Sequence, residues 1–172
     1  MLNRQEMIHA LQGEAMARCR YEIYAEVARE EGLHYLAKIL EETAHNELSH
    51  VRELMKLLGL IGSTQVNLET AIDNETIEST DLYPNLQESS IALGDLDAAR
   101  LFQQITKIEQ RHKERFEKLH HLLVTNQVYK RSASIVWKCR VCGFIYEGME
   151  PPAKCPACQN LQTCFEPDDF AL

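Results

Sequence analysis

The sequence contains no run of five basic residues. Its 172 residues carry a net charge of −8, with 26 Asp and Glu against 18 Lys and Arg. An acidic chain without a basic patch repels phosphate-rich surfaces, so nucleic acid and anionic membrane are not expected partners. No apolar stretch approaches the ~18 residues that span a bilayer. The opening Met1-Leu2-Asn3-Arg4-Gln5-Glu6 lacks the apolar core of a secretory leader, so a cytoplasmic protein is expected. Glycine and proline are scarce before residue 125, which favours long helices over a sheet-and-turn fold.

Apolar residues recur at helical spacing through that region. The pattern predicts a helix from about Asn3 to Glu30, with Asn3 and Glu6 as a capping box and Gly32 as its stop. A second should run from about Leu33 to Leu58 and stop at Gly59. A third should run from about Val66 to Leu93, kinked by Pro84 near Thr80, whose carbonyl loses its partner. Gly94 ends it, and Asp95 caps a fourth that reaches about Thr125.

The helical half repeats itself. Glu14 is followed 33 residues later by Glu47-x-x-His50, and Glu75 is followed 34 residues later by Glu109-x-x-His112. Residues three apart share a helix face. The buried stripes therefore carry acid or imidazole at mid-height: Glu14 beside Ala17 and Tyr21, Glu47 with His50, Glu75 with Glu78 or Ser79, and Glu109 with His112. Five carboxylates and two imidazoles gathered inside a bundle need compensation, because an unpaired buried ion costs several kcal/mol. Two metal cations would provide it. Two Glu residues plus two Glu-x-x-His pairs form the ligand set of di-iron carboxylate bundles, and oxygen and imidazole donors suit iron or manganese. A single E-x-x-H is a weak signal, as Glu42 with His45 and Glu117 with His120 illustrate off the stripes. His9, His34, His45, His120 and His121 are expected at the surface.

The character changes after residue 128. Residues 1–128 form the bundle, 129–136 a linker that includes Lys130-Arg131-Ser132-Ala133-Ser134, and 137–172 a second domain. The last 36 residues hold four of the five prolines and five of the six cysteines. Ile135 to Lys138 reads as a strand. Cys139-x-x-Cys142 and Cys155-x-x-Cys158 make a tetrahedral sulfur site for iron or zinc, with Gly143 at the positive φ behind a knuckle. Metal binding should supply much of this small domain's folding free energy. Trp137, Phe144, Tyr146, Phe165 and Phe170 are expected around it. Cys164 is expected to be a small buried apolar residue, and Cys19 has no evident partner.

Several segments together resemble rubrerythrins: Gly13-Glu14-Ala15-Met16-Ala17-Arg18-Cys19-Arg20-Tyr21, Glu42-Thr43-Ala44-His45-Asn46-Glu47 with His50, Glu75-x-x-Glu78 followed by Leu82-Tyr83-Pro84, and Ile108-Glu109-Gln110-Arg111-His112. Val136-Trp137-Lys138-Cys139 through Phe165-Glu166 is similar to a rubredoxin-like tail. The resemblance covers nearly the whole chain. It implies a ferritin-like four-helix bundle with two irons on Glu14, Glu47, His50, Glu75, Glu78, Glu109 and His112, Glu47 and Glu109 bridging. It also implies one iron on Cys139, Cys142, Cys155 and Cys158, with zinc as the alternative occupant of isolated protein. It implies that one iron shifts between Glu78 and His50 on reduction, that Tyr21 and Tyr83 hydrogen-bond near the ligands, and that hydrogen peroxide is reduced to water in oxidative stress defence. The electrons would come from an NAD(P)H-dependent reductase or a rubredoxin, through the tail. Gln159 stands where rubredoxins often have Gly, and Gln159 to Cys164 departs from the usual proline-containing turn.

Two other functions compete: a ferroxidase of the iron-storing kind, and a regulatory module with a zinc tail. Chain length also bears on assembly. A ferritin-like bundle needs its second and third helices parallel, with expected ends roughly 30 Å apart at ~1.5 Å per residue. The break from Gly59 to Gln65 reaches at most about 27 Å. A homodimer in which two chains exchange helix pairs is therefore expected; an up-down-up-down bundle is the alternative.

Overall fold

The computed structural model describes residues 3–168. The expected role of Phe170 lies outside the described residues. The chain is mostly helical and divides into two compact units, Met1–Ser63 and Thr64–Leu172.

The first unit is a hairpin of α1 (Arg4–Glu30) and α2 (His34–Leu57). Asn3 caps α1, but its side chain accepts from the Gln5 N–H at 3.0 Å, one residue short of the expected capping box with Glu6. Gly32 turns the chain at φ +78°, where the Leu33 N–H reaches the Ala28 carbonyl and the Gly32 N–H reaches Arg29. The same pair of bonds closes α2 at Leu58–Leu60. The two helices meet through small residues: Ala25, Ala28 and Ala37 are buried together with Leu40 packed against them, and Ala44 is also buried. Alanine lets the backbones approach, but it fills little volume. Larger residues stay in water, among them Leu36 and Leu57, which are 51% and 74% exposed. Full burial of such a side chain is worth about 1.5–3 kcal/mol, of which these two realise only part.

The second unit begins with α3 (Thr64–Ile77), which passes through a π turn at Glu78–Leu82 into α4 (Tyr83–Ala92); α5 (Leu96–Val124) packs against all three. The expected kink at Pro84 is thus a local widening of the helix. Proline supplies no N–H, and the turn re-pairs around it: the Tyr83 N–H donates to the Glu78 carbonyl, five residues back. Ser79, the alternative to Glu78 on the inward stripe, is buried, and its hydroxyl donates to the Glu75 carbonyl at 2.6 Å. Asp95 caps α5 by accepting from the Ala98 N–H at 3.0 Å.

Beyond α5 lies a three-stranded antiparallel sheet in the order β2 (Ile145–Gly148), β1 (Ile135–Cys139), β3 (Phe165–Pro167). Trp137, Cys139, Cys155 and Phe165 form its core, with Phe144, Cys158 and Cys164 packed alongside. The half-buried Cys164 fits the expected apolar role. Tyr146 is exposed and lies over Gly148, where an added Cβ would meet its ring at 2.7 Å, so it is not part of that core. The Trp137 indole donates to the Gly148 carbonyl at 2.9 Å, and the Arg131 guanidinium lies 5.2 Å from its ring centroid. Several residues of the expected linker are therefore bound to the domain they precede: Tyr129 reaches the Thr163 carbonyl, Arg131 the Trp137 ring, and Ile135 and Val136 belong to β1.

Candidate metal centres

The first hairpin gathers Glu14 from α1 with Glu47 and His50 from α2, their ligating atoms all within 4.8 Å of one another. His50 Nδ1 lies 2.8 Å from Glu47 Oε2 and 3.3 Å from Glu14 Oε2. The hydrogen bond with Glu47, then the one with His50, hold the Glu14 carboxyl below its ordinary value of 4.5. Glu14 and Glu47 in turn push His50 above its ordinary 6.5.

The second hairpin repeats the arrangement with Glu75 from α3 and Glu109 and His112 from α5. His112 Nδ1 lies 2.7 Å from Glu109 Oε2 and 3.6 Å from Glu75 Oε2. Here the shift is reversed. Burial, the hydrogen bond to Glu109 and the charges of Glu109 and Glu78 push Glu75 above its ordinary value, although the charge of His112 opposes them. Among the described residues, Glu75 Oε2 is buried without a hydrogen-bond partner. Such an oxygen is costly to leave unmatched, and a cation is the partner this donor set fits. Both imidazoles turn the same ring nitrogen, Nδ1, toward the carboxylates.

Glu78 lies outside the closest group but acts on it: its charge raises Glu75, and it raises Tyr83 after the effect of burial. Tyr83 stacks on Phe102 at 6.1 Å, whereas the ring of Tyr21 lies 6.5 Å from that of Tyr24. His9, His34, His45 and His121 are exposed as expected. His120 is half-buried, with Nε2 3.1 Å from Glu69.

In the tail the four sulfurs of Cys139, Cys142, Cys155 and Cys158 also lie within 4.8 Å of one another. A tetrahedral site with ~2.3 Å metal–sulfur bonds has sulfur–sulfur edges of about 3.8 Å. Cys139 and Cys158 are 3.8 Å apart, and Cys142 and Cys155 3.6 Å, so the cage already has the size a metal requires. The thiols do not share charge equally. The Asn160 side chain, then its backbone N–H, pull Cys158 down to about 6. Cys142 is pushed up to about 12: the backbone N–H of Phe144 lowers it, but desolvation and the thiols of Cys158, Cys155 and Cys139 prevail. Four thiols at this spacing cannot all ionise without a cation.

The π turn, the Arg131 contact and the Asn160 bond were not anticipated from the sequence. Pro84 marked the place of the first. The other two depend on side chains whose polar ends turn toward the tail's core only in the folded domain.

Comparison with known proteins agrees with this reading. The rubrerythrin family model matches residues 7–120, and the rubrerythrin rubredoxin-like domain model matches residues 137–166. A rubrerythrin of Porphyromonas gingivalis is 35% identical, covering 95% of this chain and 88% of that protein. One from Clostridium perfringens is 34% identical, covering 94% and 92%. A solved structure, the partially reduced state of nigerythrin, is 24% identical and covers 98% of this chain and 88% of that one, with a TM-score of 0.38. The chain belongs to the rubrerythrin family, with a di-iron domain followed by a rubredoxin-like domain.

Proposed function

We propose that this protein is a peroxidase that reduces hydrogen peroxide to two waters, taking up two electrons and two protons, in defence against oxidative stress. The observation that carries the reading is the pairing, in one chain, of two Glu/Glu/His triads with a tetrahedral four-sulfur cage. The triads of Glu14, Glu47 and His50 and of Glu75, Glu109 and His112, joined by Glu78, would hold two irons, which when bound supply the two electrons that O–O cleavage consumes. The protein's own part is geometric and electrostatic. Glu47 and Glu109 would present carboxylates to both irons, and Glu78 and His50 would be the alternative ligands of one of them. Tyr83, which feels the charges of Glu78, Glu109 and Glu75, would offer a phenol donor there, and Tyr21 would do the same for the first triad. The tail receives electrons from a rubredoxin or an NAD(P)H-dependent reductase of the cytoplasm. Stopped-flow mixing of anaerobically reduced protein with peroxide tests the activity. Fast reoxidation is expected; slow reoxidation, with uptake of many irons per chain, would turn the reading toward a ferroxidase. Cys139→Ser or Cys158→Ser should remove the tail's visible absorption and donor-driven turnover while pre-reduced protein still reacts. Intact donor-driven turnover would mean that the tail is not the inlet.

We further propose that the site is completed by a second copy of the chain. α2 runs ten residues past Glu47 to Leu57, and α3 runs eleven from Thr64 to Glu75. At ~1.5 Å per residue, a parallel pair with level ligands separates those ends by roughly 31 Å. The seven Cα steps from Leu57 to Thr64 reach at most about 25 Å. Leu36 and Leu57, which flank Glu47 and His50 on α2, and Leu101 and Ile108, which flank Glu109 on α5, are exposed, as an exchanged helix pair would require. Co-expression decides the matter. One chain carries Glu14→Ala and His50→Ala, the other Glu75→Ala and His112→Ala. In an exchanged dimer each homodimer has two broken sites, but the mixed dimer has one whole site and regains half the metal. If mixing restores none, each site is built within one chain.

A further inference from the structure

The two knuckles of the tail are near copies in their backbone, and one difference between their side chains has a chemical consequence. The Cys139 carbonyl accepts from the Gly143 N–H at 2.8 Å, and the Cys155 carbonyl from the Gln159 N–H at 2.9 Å. Gly143 sits at φ +77° and Gln159 at +61°, so Gln159 takes the left-handed position at which glycine is the usual choice. In each knuckle the second cysteine receives a backbone N–H from the residue two ahead: Cys142 from Phe144, and Cys158 from Asn160. The likeness ends at the side chains. Phe144 packs into the apolar core, whereas Asn160 Nδ2 lies 3.2 Å from Cys158 Sγ.

Asn160 is held in place from several directions. Its carbonyl accepts from the Cys155 N–H at 2.8 Å, and its Nδ2 is also 3.4 Å from the Cys158 carbonyl. The residue is half-buried, and the flanking chain is tied by the bridge between Lys154 and Leu161. The amide is therefore aimed before any metal arrives. A donor on a thiolate draws charge from the sulfur and favours the more electron-rich state of the metal it ligates.

We propose that Asn160 is a positioning residue that raises the reduction potential of the tail's iron through its side-chain hydrogen bond to Cys158, making that knuckle the electron-poor side of an asymmetric site. The proposal rests on reading the four-cysteine site as a redox iron centre. Through Cys158, Asn160 makes the tail easier to reduce by an external one-electron donor.

The test uses the full-length protein with Asn160→Leu, which keeps the bulk and removes the donor, and Asn160→Ala, which removes both. The midpoint potential of the tail, followed through its visible bands, is expected to fall in both variants. Cobalt(II) in the same four-sulfur site gives a readout that does not depend on the native metal: its sulfur-to-metal charge-transfer bands should move to lower energy when the donor is lost. An unchanged or raised potential, with unchanged cobalt bands in protein whose tail binds metal normally, overturns the proposal. If wild-type protein lacks iron–sulfur bands, the electron-inlet reading fails, and the cobalt shift alone decides the role of Asn160.

Discussion

The two hairpins carry the same triad and charge it in opposite ways. In the first, the side chains of Glu14, Glu47 and His50 are 36%, 16% and 58% exposed, and hydrogen bonds, from Glu47 first and then His50, hold Glu14 down. In the second, the side chains of Glu75, Glu109 and His112 are 19%, 14% and 39% exposed, and burial with like charge prevails at Glu75. The triads hold the same residue types, and the difference in sign comes from the deeper burial of Glu75, joined by the hydrogen bond to Glu109 and the charges of Glu109 and Glu78. The second hairpin is therefore the half that depends more on a cation, and it is the half with the orphaned carboxylate oxygen.

The second hairpin also holds the one carboxylate without a counterpart. Glu78 follows Glu75 by three residues, and the matching place after Glu14 is occupied by Ala17. If this asymmetry serves turnover, Glu78→Ala should leave a folded, metal-binding protein whose reaction with peroxide is at least tenfold slower, about 1.4 kcal/mol in the barrier. Unchanged stopped-flow reoxidation, with normal metal content, would reduce Glu78 to a bystander.

The unequal repeat spacing already contained this asymmetry. Gly32 and Glu47 are 15 residues apart, as are Gly94 and Glu109, so the extra residue of the second copy lies between Glu75 and Gly94. The π turn sits in that interval, and a π turn accommodates one additional residue. Tyr83 follows Glu75 by eight residues where Tyr21 follows Glu14 by seven, so the one-residue offset already falls before it. Helix periodicity and glycine stops made the four helices and both triads legible. The width of one turn was not, because 3.6-residue periodicity assumes regular hydrogen bonding. The sign of each carboxyl shift was equally hidden, since it depends on how deeply one helix sits against its neighbour. At the end of α5, Asn126 adopts φ +55° and takes the role that glycine has elsewhere, so the stop there lacked its usual marker.

A second prediction sharpens the comparison in metal-free protein. Glu75→Gln keeps the shape and removes a charge that burial and Glu109 disfavour, so it should raise the melting temperature by on the order of 3 °C. Glu14→Gln removes a carboxylate that its neighbours favour, so it should give no gain or a small loss. Thermal unfolding of both variants, stripped of metal, checks the pair. Equal responses would mean that the difference in depth has no energetic consequence.

The smallest expected effect is in the pH profile of the same metal-free protein. His50 is raised above 6.5 by Glu14 and then Glu47, so its contribution is complete below pH 6.5 and is lost as pH rises through its folded-state value. Glu14 is lowered below 4.5, so its contribution is complete above pH 4.5 and is lost as pH falls through its folded-state value. The first hairpin should therefore contribute most between pH 4.5 and 6.5. Glu75 is raised, chiefly by burial, so the fold loses stability as pH climbs from 4.5 through its folded-state value. Unfolding followed from below pH 4.5 to above 6.5 separates the two halves. His50→Gln should flatten the decline above 6.5, and Glu75→Gln should remove the one that begins near 4.5. If His50→Gln leaves the alkaline limb unchanged, the attraction within the first triad does not stabilise the metal-free fold, and the contrast between the hairpins rests on burial alone.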